Sequence, residues 1–123
     1  MKRFLAVCTL VVLSCNGIKE DNIKSFIPGT YVKLISNEFN KGNDTLHIRL
    51  MDNNTFSITR VSVFNRIREG KITPVVRKSE IWTAIYNHDE QVLYETQKGK
   101  VLSFLPKQKM LLIGSSEYKK INN

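Results

Sequence analysis

The sequence predicts an all-β protein, a small antiparallel meander of about eight strands closed into a barrel. Three observations point there. Apolar and polar residues alternate along short segments, the period-two signature of half-buried strands. Turn-forming residues interrupt those segments at short, regular intervals, as tightly connected antiparallel strands require. No window of helical length carries a 3.6-residue apolar repeat. A meander this short would expose two edges, and closing it into a barrel removes both.

The strands follow in order. Pro28-Gly29 ends a polar segment, and residues 30–36 read as the first strand. Residues 40–44 read as a turn cluster, followed by a strand over 45–51 in which Leu46, Ile48 and Leu50 alternate with His47 and Arg49. Asp52-Asn53-Asn54 reverses the chain, because Asn and Asp tolerate left-handed backbone and bond their own main chain. Residues 55–67 form a longer strand whose apolar parity shifts from Phe56 and Ile58 to Val61 and Val63. A one-residue shift flips every later side chain, so a bulge is expected near Thr59-Arg60. Glu69-Gly70 turns into residues 71–78, where Pro74 cannot donate to a ladder and marks an edge, bulge or bend. Residues 80–87 carry apolar side chains on both faces (Trp82, Ala84 and Tyr86 against Ile81, Thr83 and Ile85), which predicts a central strand. Short strands over 92–96, 101–105 and 110–113, and one around Tyr118, complete the set.

The front of the chain is different. Met1-Lys2-Arg3 is positively charged, and residues 4–13 are apolar except for Thr9. As a helix this run would rise about 15 Å, half of the roughly 30 Å hydrocarbon core of a bilayer, so it is a secretory signal in form and too short to span. Val12-Leu13-Ser14-Cys15 closes it. That tetrad resembles the lipobox of bacterial lipoproteins: an aliphatic residue, a variable one, a small one, then cysteine. The resemblance implies a diacylglycerol thioether on Cys15, cleavage after Ser14 and acylation of the new amino group, with palmitate-type chains holding the protein to the outer membrane. A thiol suits that chemistry because it is the best side-chain nucleophile near neutral pH. An ordinary signal peptide ending at the same place is the alternative, and a cytosolic protein with a buried first helix is a third reading.

The chain then divides into a signal peptide over residues 1–14, a lipidated tether over 15–25 and a barrel domain over 26–123. Cys8 would leave with the signal, so Cys15 would be the remaining cysteine and the domain would be held by packing without an internal disulfide. Lys19-Glu20-Asp21 looks like the short lysine-plus-acid signal that sends some lipoproteins of Bacteroidota to the cell surface, and reads equally as a solvated spacer. The formal charge of +8, still basic without Lys2 and Arg3, favours approach to anionic surfaces.

Gly29-Thr30-Tyr31, opening the first strand after such a tether, is similar to the Gly-x-Trp start of lipocalin-like barrels. From Phe26 onward the chain resembles the small lipocalin-like lipoproteins common in Bacteroidota, some of them encoded near conjugative elements. The resemblance implies a small barrel and leaves its activity open.

No arrangement of residues marks a reaction. His47 and His88 are isolated from each other and from a second cysteine, whereas a zinc site needs three or four ligands. Carboxylates such as Asp44, Asp52, Glu69, Asp89 and Glu90 fall mostly in turns, where they cap and solvate. There is no phosphate-binding glycine loop and no nucleophile elbow. The reading is therefore a non-enzymatic protein without cofactor or metal, with a binding or structural role at the cell envelope. Two alternatives stand beside it: a carrier or sensor holding a small hydrophobic ligand inside the barrel, and an enzyme whose site is assembled from distant strands. Phe56, Trp82, Tyr86 and Phe104 are candidates to fill the barrel or to line a pocket for a small apolar ligand. Arg66, Arg68 and Lys71 form a candidate patch for an anionic surface: lipid headgroups, a glycan or an acidic envelope protein. Nucleic acid is disfavoured, because stacking of single strands needs several aromatics on the basic face and only Phe64 is there.

One consequence is directly measurable. Replacing Cys15 by Ser should abolish labelling by a fatty-acid analogue in a bacterial host and release the protein from the membrane fraction. A single chain of myristoyl length binds only marginally, so loss of the diacyl group should be decisive. Labelling and membrane retention that survive the substitution would refute the anchor.

Overall fold

Tight connections dictate this architecture. Two-residue hairpin turns fit the right-handed twist of paired strands only with positive φ at their centres. Glu69 and Gly70 supply it at φ 51° and 78°, and Asn53 does so at 44°. The computed structural model describes residues 22–122 as one short α-helix, eight strands and a single 3-10 turn at Pro106–Gln108. Helix α1 is Asn22–Phe26. The strands are β1 (Gly29–Ser36), β2 (Asn40–Asp52), β3 (Thr55–Arg68), β4 (Lys71–Asn87), β5 (Val92–Glu95), β6 (Val101–Leu105), β7 (Met110–Ile113) and β8 (Ser116–Asn122). Every strand pairs antiparallel with its successor, and β8 closes on β1. The signal region and Cys15 lie outside the described residues.

Several expectations need correction. Residues 40–44 belong to β2, paired with both β1 and β3, and do not form a turn. The bulge expected at Thr59-Arg60 is absent: β3 keeps one register against β4 from Thr55 to Asn65. The inward face continues through Arg60 and Ser62, so the apparent parity shift came from polar residues inside the barrel. The break lies farther on, where Asn65 pairs with Val75 and Ile67 with Ile72. Pro74 sits in that bulge, and the Thr73 hydroxyl accepts from Arg66 N (3.1 Å) and donates to Arg66 O (3.0 Å). Residues 71–78 and 80–87 are one continuous strand, β4. Ile81 and Ile85 are not core residues; they are 69% and 48% exposed on the outer wall.

The barrel is lopsided. Strands β2, β3 and β4 run 13, 14 and 17 residues, whereas β5, β6 and β7 run 4, 5 and 4. The β4–β5 ladder covers only residues 84–87, so the β2–β3–β4 wall rises above the rest as a curved apron. Gly42 permits its curl. A Cβ there would stand 2.1 Å from Val63 O and 2.5 Å from Phe64 Cα, a space no side chain can share.

The core fills the lower barrel. Tyr31, Leu46, Ile48, Phe56, Ile58, Trp82, Ala84, Tyr86, Leu93, Leu102, Phe104, Leu111 and Tyr118 form one buried cluster with Ile27. Ile27 and Phe26 cork the lower end. The Tyr31 hydroxyl lies 2.8 Å from Ile27 O and 3.1 Å from Phe26 O, and Phe26 meets Tyr31 and Phe104 edge-on at 6.0 and 6.3 Å. Lys120 Nζ stands 4.1 Å from the Phe26 ring centre and donates to Phe26 O.

Trp82, the single tryptophan, reports on this packing. Its emission should be blue-shifted until the chain unfolds, and Trp82→Ala should cost about 3–5 kcal/mol in denaturant titrations. Emission matching that of the unfolded chain in native buffer would contradict the assignment.

Candidate functional site: the open mouth of the barrel

Cross-strand rows on the inner wall change character from bottom to top. Ile48, Ile58 and Trp82 make an apolar row, and Leu46, Arg60 and Glu80 the next. Above them come Asp44, Ser62 and Lys78, then Gly42, Phe64 and Val76. The barrel is therefore apolar below and charged at the level where its short strands end.

Asp44 is the centre of that level and is only 3% exposed. A carboxylate there needs donors on both oxygens, because an unpaired buried charge costs several kcal/mol. Arg60 supplies two, Nε to Oδ1 at 3.0 Å and Nη2 to Oδ2 at 2.8 Å. The Ser62 hydroxyl donates to Oδ1 at 2.9 Å and the Tyr118 hydroxyl to Oδ2 at 2.8 Å. Burial alone would raise the Asp44 pKa, but the bonds from Arg60, Tyr118 and Ser62 outweigh it and hold the group below the usual range. Burial, reinforced by the bond to Asp44, pushes the Tyr118 hydroxyl up, so it stays a donor at neutral pH.

The network extends across the floor of the mouth. Arg60 Nη1 reaches Glu80 Oε2 at 3.3 Å, and Trp82 Nε1 donates to Glu80 Oε1 at 2.9 Å. The indole bond leads the downward shift of the Glu80 pKa, so Glu80 is ionised at neutral pH. Above this floor lies an open hollow of about 290 Å³ lined by Ile35, Arg60, Ser62, Phe64, Lys78 and Glu80. Arg60 is shared between Asp44 and Glu80, a set that carries one net negative charge, whereas Lys78 makes no ion pair among the described residues. The hollow thus presents one uncommitted cation beside two apolar side chains.

The residues singled out from the sequence fall elsewhere. Phe56, Trp82, Tyr86 and Phe104 are all buried in the core cluster, and Phe56 also borders a shallow hollow with Lys24, Ser25, Pro28 and Leu50. Arg66, Arg68 and Lys71 lie together at the β3–β4 tip, beyond the mouth. His47 and His88 stay apart: His47 Nδ1 is 3.2 Å from Thr30 Oγ1 on the outer wall, and His88 Nε2 is 3.0 Å from Asn54 Oδ1. Among the described residues no cluster of three His, Cys, Asp or Glu side chains is placed to hold a metal. Glu95, 2% exposed, accepts from the backbone N–H groups of Gln97 (2.9 Å) and Lys98 (2.8 Å) and so braces the β5–β6 turn.

The sequence pattern puts Asp44 in a solvated turn, reads Arg60 as the place of a bulge and assigns Ser62 and Tyr118 to no site. The one available signal was a run of polar residues where a strand's inner face should be apolar. A larger hollow of about 370 Å³ on the outer wall is lined by Thr30, His47, Arg49 and Thr59 among others, but these polar groups are solvated and none is buried.

Fold and site define a class: a closed, eight-stranded, up-and-down barrel of lipocalin-like type, with an apolar interior able to enclose a hydrophobic cavity. Comparison with protein-family models, with curated proteins and with solved structures finds no match for the chain.

The depressed pKa of Asp44 makes stability depend on acidity in a defined direction. A group with a lowered folded pKa contributes fully above its unfolded pKa, about 4 for Asp, and loses that contribution as pH falls through the folded value. Asp44→Asn should therefore cost about 1–3 kcal/mol at pH 7 in urea titrations, with the gap to wild type narrowing below pH 4. A penalty unchanged between pH 7 and pH 3 would show that charge is not what Asp44 supplies.

Proposed function

We propose that this chain is a non-enzymatic envelope lipoprotein whose barrel mouth binds a small amphipathic anion, as a carrier or sensor. The observation that carries the reading is the hollow at the mouth, where Lys78 has no acidic partner among the described residues and lies beside Ile35 and Phe64. An anionic head on the Lys78 ammonium and an apolar tail along Ile35 and Phe64 would satisfy both surfaces. The packed aromatic and aliphatic side chains below give such a site a rigid floor, which lowers the ordering cost of binding. A cationic ligand fits less well, because the carboxylates of Asp44 and Glu80 already receive donors.

The lipobox resemblance at Cys15 supports delivery to the envelope, with the domain on a short tether. A wholly structural role is the weaker alternative, since it gives the uncommitted cation no task.

Octanoate, a carboxylate with a short apolar tail, is a suitable probe. It should raise the thermal midpoint of the protein, followed by Trp82 emission, because a ligand that binds only the folded state stabilises it. Octanol, with the same tail and no charge, should raise it less. Lys78→Glu should abolish the octanoate shift and leave the unliganded midpoint nearly unchanged, since an exposed charge contributes little to stability. Equal shifts for wild type and Lys78→Glu would refute a mouth site.

A further inference from the structure

The two hairpin tips beyond the mouth hold large apolar side chains in water. Asn37 fixes the β1–β2 turn through its side-chain oxygen, which accepts from the N–H groups of Phe39 and Asn40, each at 2.8 Å. Ile67 N–H then donates to Phe39 O at 2.7 Å and ties this turn to the β3–β4 hairpin. The tips are therefore one braced unit, yet Phe39 is 68% exposed and Ile72 66%. Arg66 and Arg68 line the same hollow as Phe39, together with Glu69, and Lys71 precedes Ile72 in β4; Glu38 and Lys41 flank the β1–β2 turn. Phe39, Arg66 and Arg68 border a shared open hollow of about 470 Å³.

Protruding apolar groups ringed by cations match one surface in particular. At an anionic bilayer the apolar groups enter the headgroup–acyl boundary while the cations meet the phosphates. We infer that the paired tips dock on an anionic lipid bilayer, with Phe39 and Ile72 entering the interface and Arg66, Arg68 and Lys71 lying on the headgroups. No tip residue lines the mouth hollow, although the two adjoin through Arg66, whose guanidinium stands 5.9 Å from the ring centre of Phe64. Strand β1 starts beside α1 at the corked end and runs up to the tips, so residue 22 and the tips lie at opposite ends of the barrel.

The test uses the full chain with Phe39→Trp and vesicles of phosphatidylcholine with or without 30% phosphatidylglycerol by intent of design, roughly the charge of an anionic leaflet. Every variant keeps residues 1–21, so any contribution from that segment cancels. Brominated acyl chains should quench the added indole on phosphatidylglycerol vesicles and not on phosphatidylcholine alone, while Trp82, buried in the core, stays unquenched. Each basic side chain at such a surface adds about fivefold to partitioning, so Arg66→Gln, Arg68→Gln and Lys71→Gln together should weaken it roughly 100-fold. Partitioning should also fall steeply near 1 M salt, where the Debye length is about 3 Å. Unchanged Trp82 emission in the triple variant certifies that the barrel is folded. Quenching that ignores phosphatidylglycerol, or that survives the triple substitution, overturns the inference, as does a tip occupied by a protein partner with no vesicle binding.

Discussion

The carboxylate of Asp44 is the constraint on which the rest of the barrel depends. A charge at that depth is tolerated only with donors on both oxygens, and these come from β3 through Arg60 and Ser62 and from β8 through Tyr118. Asp44 and Tyr118 are 74 residues apart in the chain. Their bond crosses the interior and holds the last strand at the level of the second, independently of the ladder by which β8 pairs with β1. Arg60 carries the same level to Glu80 on β4, and Trp82 takes up the remaining Glu80 oxygen. One ionised group thus sets a common height for four strands. Below it the interior is apolar and packed; above it the barrel opens.

The two ends of the barrel are built for opposite purposes. At the lower end Phe26 and Ile27 fold under the strands, where Tyr31 bonds to their carbonyls and Phe104 packs against the Phe26 ring. At the upper end β5 to β8 stop short and the β2–β3–β4 wall continues, curling where Gly42 lets two backbones approach. The free upper part of β4 carries Arg77 and Lys78, charges that discourage another strand from pairing with an exposed edge. The upper end is therefore the open end of the barrel. Of the charged side chains that line the mouth hollow, Arg60 and Glu80 are tied into the Asp44 network and Lys78 makes no ion pair among the described residues.

The fold was largely legible in the sequence, and the candidate site was not. Alternation at Leu46, Ile48 and Leu50, and at Trp82, Ala84 and Tyr86, marks strands because pleating sends successive side chains to opposite faces. Pro74 marked a real irregularity, since a missing N–H interrupts a ladder wherever it falls. The reading failed where the interior is polar. Arg60 and Ser62 continue the inward series of Phe56 and Ile58, but a rule that equates inward with apolar moves the series to Val61 and Val63. The turn-forming composition of residues 40–44 put Asp44 in a turn, and β4 was divided at its most charged stretch.

Local backbone chemistry is what the sequence determines by itself: turn residues with access to positive φ, the period of two and the absence of a helical repeat. These are properties of neighbours in the chain, and they suffice for an eight-strand antiparallel meander. Which polar side chains face inward is a different kind of fact. It follows from the pairing of Asp44 with Ser62, of Arg60 with Glu80 and of β8 with β1, contacts between residues far apart in sequence. Only closure of the ring brings donors to both oxygens of Asp44, so only the tertiary structure decides that this carboxylate is buried and that a mouth opens above it.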